Sequence, residues 1–308
     1  MDINPSIVIG SAVVGLLVGL TGAGGGALMT PMLILLFRVA PAAAISSDLV
    51  AAVVMRPAGA VIHWHKGTVN ARLVGWMTLG SVPMAFLGAY LLSRLGNGPG
   101  TQRDIEYILG AALLVGAGAM AFRDLQGHRS AAQRSGTLQD LVLRPVPTVL
   151  ISAVGGLIVG MTSVGSGSLM IVLLLFLYPR LSGSQLVGTF LVQAVPLTVA
   201  AALGALLFGH VKFGVTTSLV IGGVPAVIIG SFLSSRAPDH YLQPLITFVI
   251  LASGLKYIGL GTSALVAVLA AVLAVAGGYW LIRVRPARDR APAAADPALA
   301  AEVEQRPG

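Results

Sequence analysis

The sequence predicts an all-α, polytopic membrane protein built from two related halves. Of its 308 residues, 56% are hydrophobic and 10% are charged, whereas about 25% of the residues in a soluble domain are charged. Apolar runs long enough to cross a bilayer as helices, about 20 residues each, fill nearly the whole chain. A glycine-rich stretch near the N-terminus also recurs near the midpoint.

The two glycine-rich stretches are Val18–Met29 and Val159–Met170, which share seven of twelve residues at an offset of 141. The similarity continues at an offset of 142 in the later spans, where Gly80 matches Gly222 and Gly88 matches Gly230. Paired repeats with matching interrupted helices are typical of secondary transporters, which bind substrate between the repeats near the membrane midplane. The duplication therefore favours a transport function.

The apolar runs divide the chain into five predicted parts. They are a first transmembrane repeat over residues 1–122, a basic linker over 123–145, a second repeat over 146–261, an additional span over 262–282 and a disordered basic tail over 283–308. The additional span has no counterpart in the first half.

The first apolar segment, residues 7–37, is too long for one straight crossing, because it would reach about 45 Å as a helix against a hydrocarbon core of about 30 Å. Gly22–Gly26 has the lowest helix propensity and is the predicted break. If each broken segment crosses the membrane, the repeats are parallel; if each is a re-entrant hairpin, the repeats are inverted. The hairpin arrangement gathers most Lys and Arg on one face, so the positive-inside rule favours it. It predicts an external N-terminus and a cytoplasmic linker and tail.

Each break is a predicted binding element for an anion. Helix N-termini offer free backbone N–H groups and a partial positive charge, and glycines allow close approach to the backbone. The predicted substrate-binding residues are Thr21, Gly22, Gly24, Gly25 and Gly26 in the first half and Thr162, Ser163, Gly165, Ser166 and Gly167 in the second. The alternative is that these glycines serve close helix packing.

A second polar group lies inside the second apolar segment. It contains Ser47, Asp48 and Arg56, and a charge within a span costs about 2.5–3.5 kcal/mol on insertion scales. We predict Ser47 and Arg56 as substrate ligands and Asp48 as a proton-coupling residue, with helix capping as the alternative for Asp48. The counterparts in the second half are Phe190 and Thr198, so the site is expected to be asymmetric.

Thr189 and Gln193, in the matching span of the second half, are the remaining predicted substrate-binding residues. The chain has no cysteine, and no nucleophile and base converge at one depth, so we predict no enzyme activity, no cofactor and no metal. The net charge of +8 resides in short connections and the tail. That pattern indicates membrane orientation rather than nucleic-acid binding.

The doubled motif resembles the sulfite exporter TauE/SafE family. The resemblance covers about residues 7–260 and rests on GLTGAGGGALMTPML with ISSDLVAAVVMRPAGAVIHWHKGTV in the first half and GMTSVGSGSLM with VGTFLVQAVPLTVAAALGALLFGHV in the second. The family often has Gly-Thr-Asp-Leu where this chain has Ser46-Ser47-Asp48-Leu49, and Lys in place of Arg56. Phe190 and Gln193 stand where many members have Asp and His.

The resemblance implies a permease for small sulfur-containing anions, such as sulfite, sulfoacetate or thiosulfate, in the bacterial inner membrane. The residues themselves predict an anion carrier that works by alternating access, and sulfur rests on the resemblance. The alternatives are an anion-selective channel and a membrane-anchored binding or assembly protein. The expected partners are the anion, H⁺ or another coupling ion, and the lipid bilayer. The oligomeric state is open, a homo-oligomer included.

Overall fold

The structure is a computed structural model. It describes residues 3–21, 26–65, 67, 69–95, 99–130, 143–164, 170, 174, 177–178, 181, 183–233, 239–261, 263–272 and 274. The chain divides into two units, Met1–Leu260 and Gly261–Gly308. Within the second unit the described part includes the helix Ser263–Val272, which begins the predicted additional span.

The described part of the first unit is helical and contains no strand. Its helices are α1 (Pro5–Thr21), α2 (Gly26–Leu35), α3 (Pro41–His65), α4 (Ala71–Leu95), α5 (Pro99–Ser130), α6 (Pro145–Thr162), α7 (Gly183–Phe208), α8 (Phe213–Leu233) and α9 (Asp239–Tyr257). In α4 to α8, five stretches are long and apolar enough to cross a membrane. The prediction of an all-α, multi-pass membrane protein is confirmed.

Helix α5 extends into the predicted linker. The helix continues to Ser130, so its last eight residues lie in the stretch predicted as a linker over 123–145. The residues Arg123, Leu125 and Gln126 favour helix, and a helix can continue into water after its apolar run has ended. The rest of the linker up to residue 142 lies outside the described residues.

The two broken segments fold back on themselves. A Cβ atom built on Gly10 of α1 would lie 3.1 Å from the Phe37 ring beyond the end of α2, whereas a straight helix would separate these residues by about 40 Å. In the second half, the Tyr178 hydroxyl lies 2.6 Å from Thr148 Oγ1 and accepts a 3.0 Å hydrogen bond from the backbone N–H of Arg144. Each segment therefore returns to the end at which it entered.

Glycine contacts show which helices run in the same direction. Along α1 and α8, Val8 lies against Gly222 and Gly19 lies against Gly230, so these helices are parallel. Along α6 and α4, Val149 lies against Gly80 and Gly160 against Gly88, and these helices are parallel too. The four residues of one pair match those of the other at the repeat offsets. The absence of side chains lets the backbones approach closely, as is usual in membrane bundles.

The central helices of the two halves, α3 and α7, run in opposite directions. Ser46 lies against Gly209 and Arg56 bonds to Thr198, so rising numbers in α3 meet falling numbers in α7. Helix α8 is parallel to α3, since Met55 contacts Gly223 and Ser47 contacts Lys212. Helix α4 is parallel to α7, since contacts join Ser81 to Gln193 and Phe86 to Gly204.

The helices that the sequence repeat equates, α1 with α6, α3 with α7 and α4 with α8, are thus antiparallel. Equivalent helices of inverted repeats run in this way, and the inverted repeat itself stays a prediction. The two hairpins enter from opposite ends of the bundle. The two hairpins meet beside their breaks, because a Cβ atom on Gly26, the first residue of α2, would lie 1.7 Å from the carbonyl oxygen of Ser163, which follows α6. Which end of the bundle faces the cytoplasm stays a prediction.

Candidate functional site

Asp48 lies where the two hairpins meet. Its side chain is 1% exposed, and its Oδ2 atom accepts a 2.7 Å hydrogen bond from Thr30 Oγ1 and a 2.8 Å hydrogen bond from Ser163 Oγ. Asp48 stands seven residues after Pro41, the first residue of α3, so the helix-capping alternative is wrong. The carboxylate instead connects α2 and α3 of the first half to the end of α6 in the second.

Local backbone geometry presents Ser163 to Asp48. Ser163 follows the last residue of α6 in the left-handed conformation, with φ 57°, and its N–H bonds to the carbonyl of Val159 at 2.7 Å. This is a common helix ending, although the conformation favours glycine over serine. Thr162 supports it, because its hydroxyl accepts a 3.1 Å hydrogen bond from the N–H of Val164. Thr162 therefore shapes the tip of the hairpin.

Arg56 contacts its own counterpart in the second half of the chain. It is 8% exposed, and its Nη1 atom donates a 2.6 Å hydrogen bond to Thr198 Oγ1. Thr198 is the residue that the repeat offset equates with Arg56. Two equivalent residues can touch in this way only where the axis relating the halves passes between them. Arg56 and Thr198 thus lie on opposite sides of this axis and next to it.

Asp48 and Arg56 are the two charged side chains that are buried in the described part of the chain. They are eight residues apart on α3, or about 12 Å along the helix axis. No ionisable residue occurs in the sequences of α2, α6, α7 or α8. The site therefore contains one negative and one positive group within an otherwise uncharged shell.

The position equivalent to Asp48 is apolar. Phe190 is 1% exposed and packs with Leu73, Met77, Met170 and Leu174. The expected asymmetry is therefore present in the described residues: a carboxylate lies on one side of Arg56 and an aromatic ring on the other.

Ser47 and Thr189 make the same contact in the two halves. Ser47 Oγ accepts a 3.0 Å hydrogen bond from the N–H of Lys212, at the start of α8. Thr189 Oγ1 accepts a 3.1 Å hydrogen bond from the N–H of Asn70, at the start of α4. These hydroxyls satisfy backbone donors that a helix start leaves open. A substrate-binding role for either residue stays a prediction.

Gln193 is buried in α7 beside α4. Its side chain is 0% exposed, and its Nε2 atom donates a hydrogen bond to Ser81 Oγ. Among the described residues, the Oε1 atom of this amide has no hydrogen-bond partner. A buried amide with unused hydrogen-bonding capacity is expensive in an apolar bundle, which agrees with, but does not test, the predicted substrate contact.

The remaining predicted ligands lie outside the described residues. They are Gly22, Gly24, Gly25, Gly165, Ser166 and Gly167, together with the side chain of Thr21. Of the predicted set, the structure brings Gly26, Asp48 and Ser163 together, and it places Arg56 about two helical turns farther along α3. In the described part of the chain, no group of three or more His, Asp or Glu residues could hold a metal ion.

Sequence reasoning missed Thr30 and Ser81 and did not assign Thr198 to the site. Thr30 stands four residues after the break, and a polar residue in an apolar half-helix was a signal that could have identified it. Thr198 was visible as the counterpart of Arg56. Nothing in the sequence marks Ser81, because serines are common within membrane spans.

Residues 7–257 match the family model described as Sulfite exporter TauE/SafE. The chain belongs to the sulfite exporter TauE/SafE family. It is 37% identical over 254 residues to the probable membrane transporter protein YjnA of Bacillus subtilis, which covers 82% of this chain and 99% of that protein. It is 26% identical over 265 residues to a probable membrane transporter protein of Xylella fastidiosa, at 85% and 97% coverage. No solved structure matches the chain significantly.

Membership of the TauE/SafE family and the names of these relatives identify the protein as a membrane transporter. They are the names of transporters rather than of enzymes. The match ends at residue 257, so it spans both halves and the whole site, and it stops before the second unit.

Proposed function

We propose that the protein is a secondary carrier for small sulfur-containing anions, such as sulfite, thiosulfate or sulfoacetate, in the bacterial inner membrane. The anion binds at Arg56, between the two halves, and the protein exposes this site to each side of the membrane in turn. The choice of sulfur-containing substrates follows the description of the family.

The position of Arg56 carries the proposal. Alternating access requires one binding site that either side can reach, and the axis relating two inverted halves is the position that both sides approach equally. The Arg56 guanidinium donates to Thr198 across this axis. A guanidinium offers five N–H donors in a plane that matches two oxygens of an oxyanion, so a buried arginine at this position is chemically suited to bind a small sulfur oxyanion.

The hairpins supply the elements that move. The second hairpin reaches past the centre from its own end of the bundle, because Ser163 at the tip of α6 contacts Asp48 rather than Arg56. Gly26 of the first hairpin contacts Ser163 of the second. Half-helices that meet at a central site are the elements around which inverted-repeat carriers change their access.

Counterflow in proteoliposomes tests this proposal. Purified protein is reconstituted, the vesicles are loaded with unlabelled sulfite, thiosulfate or sulfoacetate, and uptake of the labelled anion is followed. A carrier gives transient accumulation of label that saturates with substrate. A channel gives equilibration without accumulation, and a binding protein gives no flux, so either result contradicts the proposal.

Matched arginine variants assign the site. Loss of a hydrogen bond to a charged group costs about 1.5–3 kcal/mol, so Arg56→Gln should weaken the apparent anion affinity by about tenfold or more. The control is Arg94→Gln, because Arg94 is exposed and bonds to Tyr90 at the surface. If the two variants transport equally well, Arg56 does not bind the substrate.

A further inference from the structure

We propose that Asp48, with the hydroxyl groups of Thr30 and Ser163, forms a proton-binding site that is distinct from the anion site at Arg56 and holds the two hairpins together. This inference rests on the proposed function, since a coupling site serves a carrier. It assigns the coupling ion, its binding atoms and the contact through which its binding is transmitted.

Asp48 connects the two hairpins. Thr30 belongs to the returning helix of the first hairpin, and Ser163 lies at the tip of the second hairpin. Both hydroxyls donate to the same carboxylate oxygen, Oδ2 of Asp48. All three side chains are at most 1% exposed. One oxygen atom therefore joins elements of both halves, in a place that water does not reach in this conformation.

Protonation of Asp48 changes the strength of its hydrogen bonds. Hydrogen bonds to an ionised carboxylate are about twice as strong as neutral ones. When a proton adds to Asp48, the carboxylate becomes a carboxylic acid, its negative charge disappears and one of its oxygens becomes a donor. The hydroxyls of Thr30 and Ser163 then lose their shared anionic acceptor. Proton binding weakens the link between the hairpins, and proton release restores it.

The charges around Asp48 favour the binding of a cation. The C-terminal end of α6 carries a partial negative charge and lies at Ser163, so a positive charge is attracted to this position. No ionisable residue occurs in α2, α6, α7 or α8. The ionisable groups on the remaining neighbours are Arg56, His63 and His65 on α3 itself, His210 and Lys212 before α8, Arg72, Tyr90 and Arg94 on α4, and Arg103, Asp104, Glu106 and Tyr107 in the first turns of α5.

None of these groups is placed to substitute for a proton at Asp48. His65, His210, Lys212, Arg72, Arg94, Arg103, Asp104 and Tyr107 are exposed. Tyr90 accepts a hydrogen bond from Arg94, and Glu106 lies beside Tyr257. Along α3, Arg56 is about 12 Å from Asp48 and His63 is about 22 Å from it. The mirrored position holds Phe190 in an apolar cluster, so the link exists on one side of Arg56. That side is the end of the bundle at which α3 begins, which the predicted topology places outside the cell. With that predicted topology, the proposal assigns proton entry to the outside.

A thiol reporter tests the proposal without any need for transport. The chain has no cysteine, and Val164 is 0% exposed beside Ser163. In Val164→Cys, the rate of modification by N-ethylmaleimide reports opening of the hairpin tip. Ala201→Cys on α7, also 0% exposed, corrects for the effect of pH on thiol reactivity and for general loosening. We expect the ratio of the two rates, position 164 over position 201, to rise several-fold as the pH falls.

In the Asp48→Asn background the ratio should be high at every pH, because asparagine is neutral. A ratio that does not change with pH in the native background, or one that still changes in Asp48→Asn, overturns the proposal. If Asp48→Asn does not fold, Thr30→Val serves instead, with Thr30→Ser as its matched control. The valine variant should raise the ratio at high pH and the serine variant should not; equal ratios overturn the proposal.

The two proposals fail separately. If the labelling ratio follows pH but no anion shows counterflow, the carrier assignment falls and the proton site at Asp48 stands. If counterflow occurs and the ratio is independent of pH, the carrier stands and Asp48 is not the coupling site. A pH gradient, acidic outside, should also drive anion accumulation in the native protein. Accumulation driven by a sodium gradient at equal pH would overturn the assignment of the proton.

Discussion

The parallel contacts of α4 with α6 depend on the absence of a side chain at Gly88. A Cβ atom at this position would lie 2.5 Å from the carbonyl oxygen of Leu157, whereas ordinary contacts begin at 3.4 Å. The neighbouring atom belongs to the backbone and cannot rotate away. The two helices would therefore have to separate by nearly the difference between these two distances. Overpacking of this kind costs about 1–3 kcal/mol.

Gly75→Ala is the matched control for Gly88→Ala. Both glycines lie within α4, but no heavy atom lies within 4 Å of a Cβ atom built on Gly75. Both substitutions gain about 1 kcal/mol of helix propensity, so the difference between them isolates the packing cost. Gly230→Ala should behave like Gly88→Ala, because its Cβ atom would lie 2.4 Å from the carbonyl oxygen of Leu16.

Thermal unfolding in detergent micelles, followed by the fluorescence of the three tryptophans, measures the effect. Each kcal/mol shifts Tm by about 2–4 °C in a chain of comparable size. We therefore expect Gly88→Ala and Gly230→Ala to unfold at least about 2 °C below Gly75→Ala. Equal Tm values for the three variants would refute the close approach of these helix pairs and, with it, the equivalence of the two interfaces.

Three further substitutions probe the site. Gly26→Ala should abolish counterflow, because its Cβ atom would lie 1.7 Å from the carbonyl oxygen of Ser163 and would push the hairpins apart; normal transport would contradict this contact. Thr198→Val should lower the apparent anion affinity by about tenfold relative to Thr198→Ser, since it removes the hydrogen-bond partner of Arg56 at a cost of about 1–3 kcal/mol; equal affinities would show that the pair does not position the guanidinium. Phe190→Ala should destabilise the folded protein by about 3–5 kcal/mol, measured by the same thermal assay, and an unchanged Tm would contradict its burial.

Much of the fold could be predicted because the bilayer restricts the choices. Lipid tolerates only helices and closed barrels, and continuous apolar runs indicate helices. The residues at which helices end were harder to predict. Helix α5 passes its last apolar residue and continues to Ser130, because helix propensity does not change where hydrophobicity does. The return of the first hairpin rested on a charge count, and the contact between Gly10 and Phe37 supplies the geometric support.

The site was predictable as a set of residues but not as a set of contacts. An aspartate and an arginine inside a span were conspicuous because burial of charge is costly. Their partners were not, because each comes from another helix: Ser163 is 115 positions from Asp48, and Thr198 is 142 positions from Arg56. The second separation equals the repeat offset, so the alignment of the two halves already paired Arg56 with Thr198. That the two residues touch follows only from the antiparallel course of α3 and α7.

The accessibility of position 198 from both sides of the membrane tests most directly whether the anion binds at a central site beside Arg56. In Thr198→Cys, an impermeant methanethiosulfonate reagent is applied from the outside in right-side-out vesicles and from the cytoplasmic side in inverted vesicles. A site on the axis of an alternating-access carrier should be modified from either side, and the transported anion should slow both reactions. Modification from one side alone, or rates that the anion leaves unchanged, would contradict a central anion site beside Arg56.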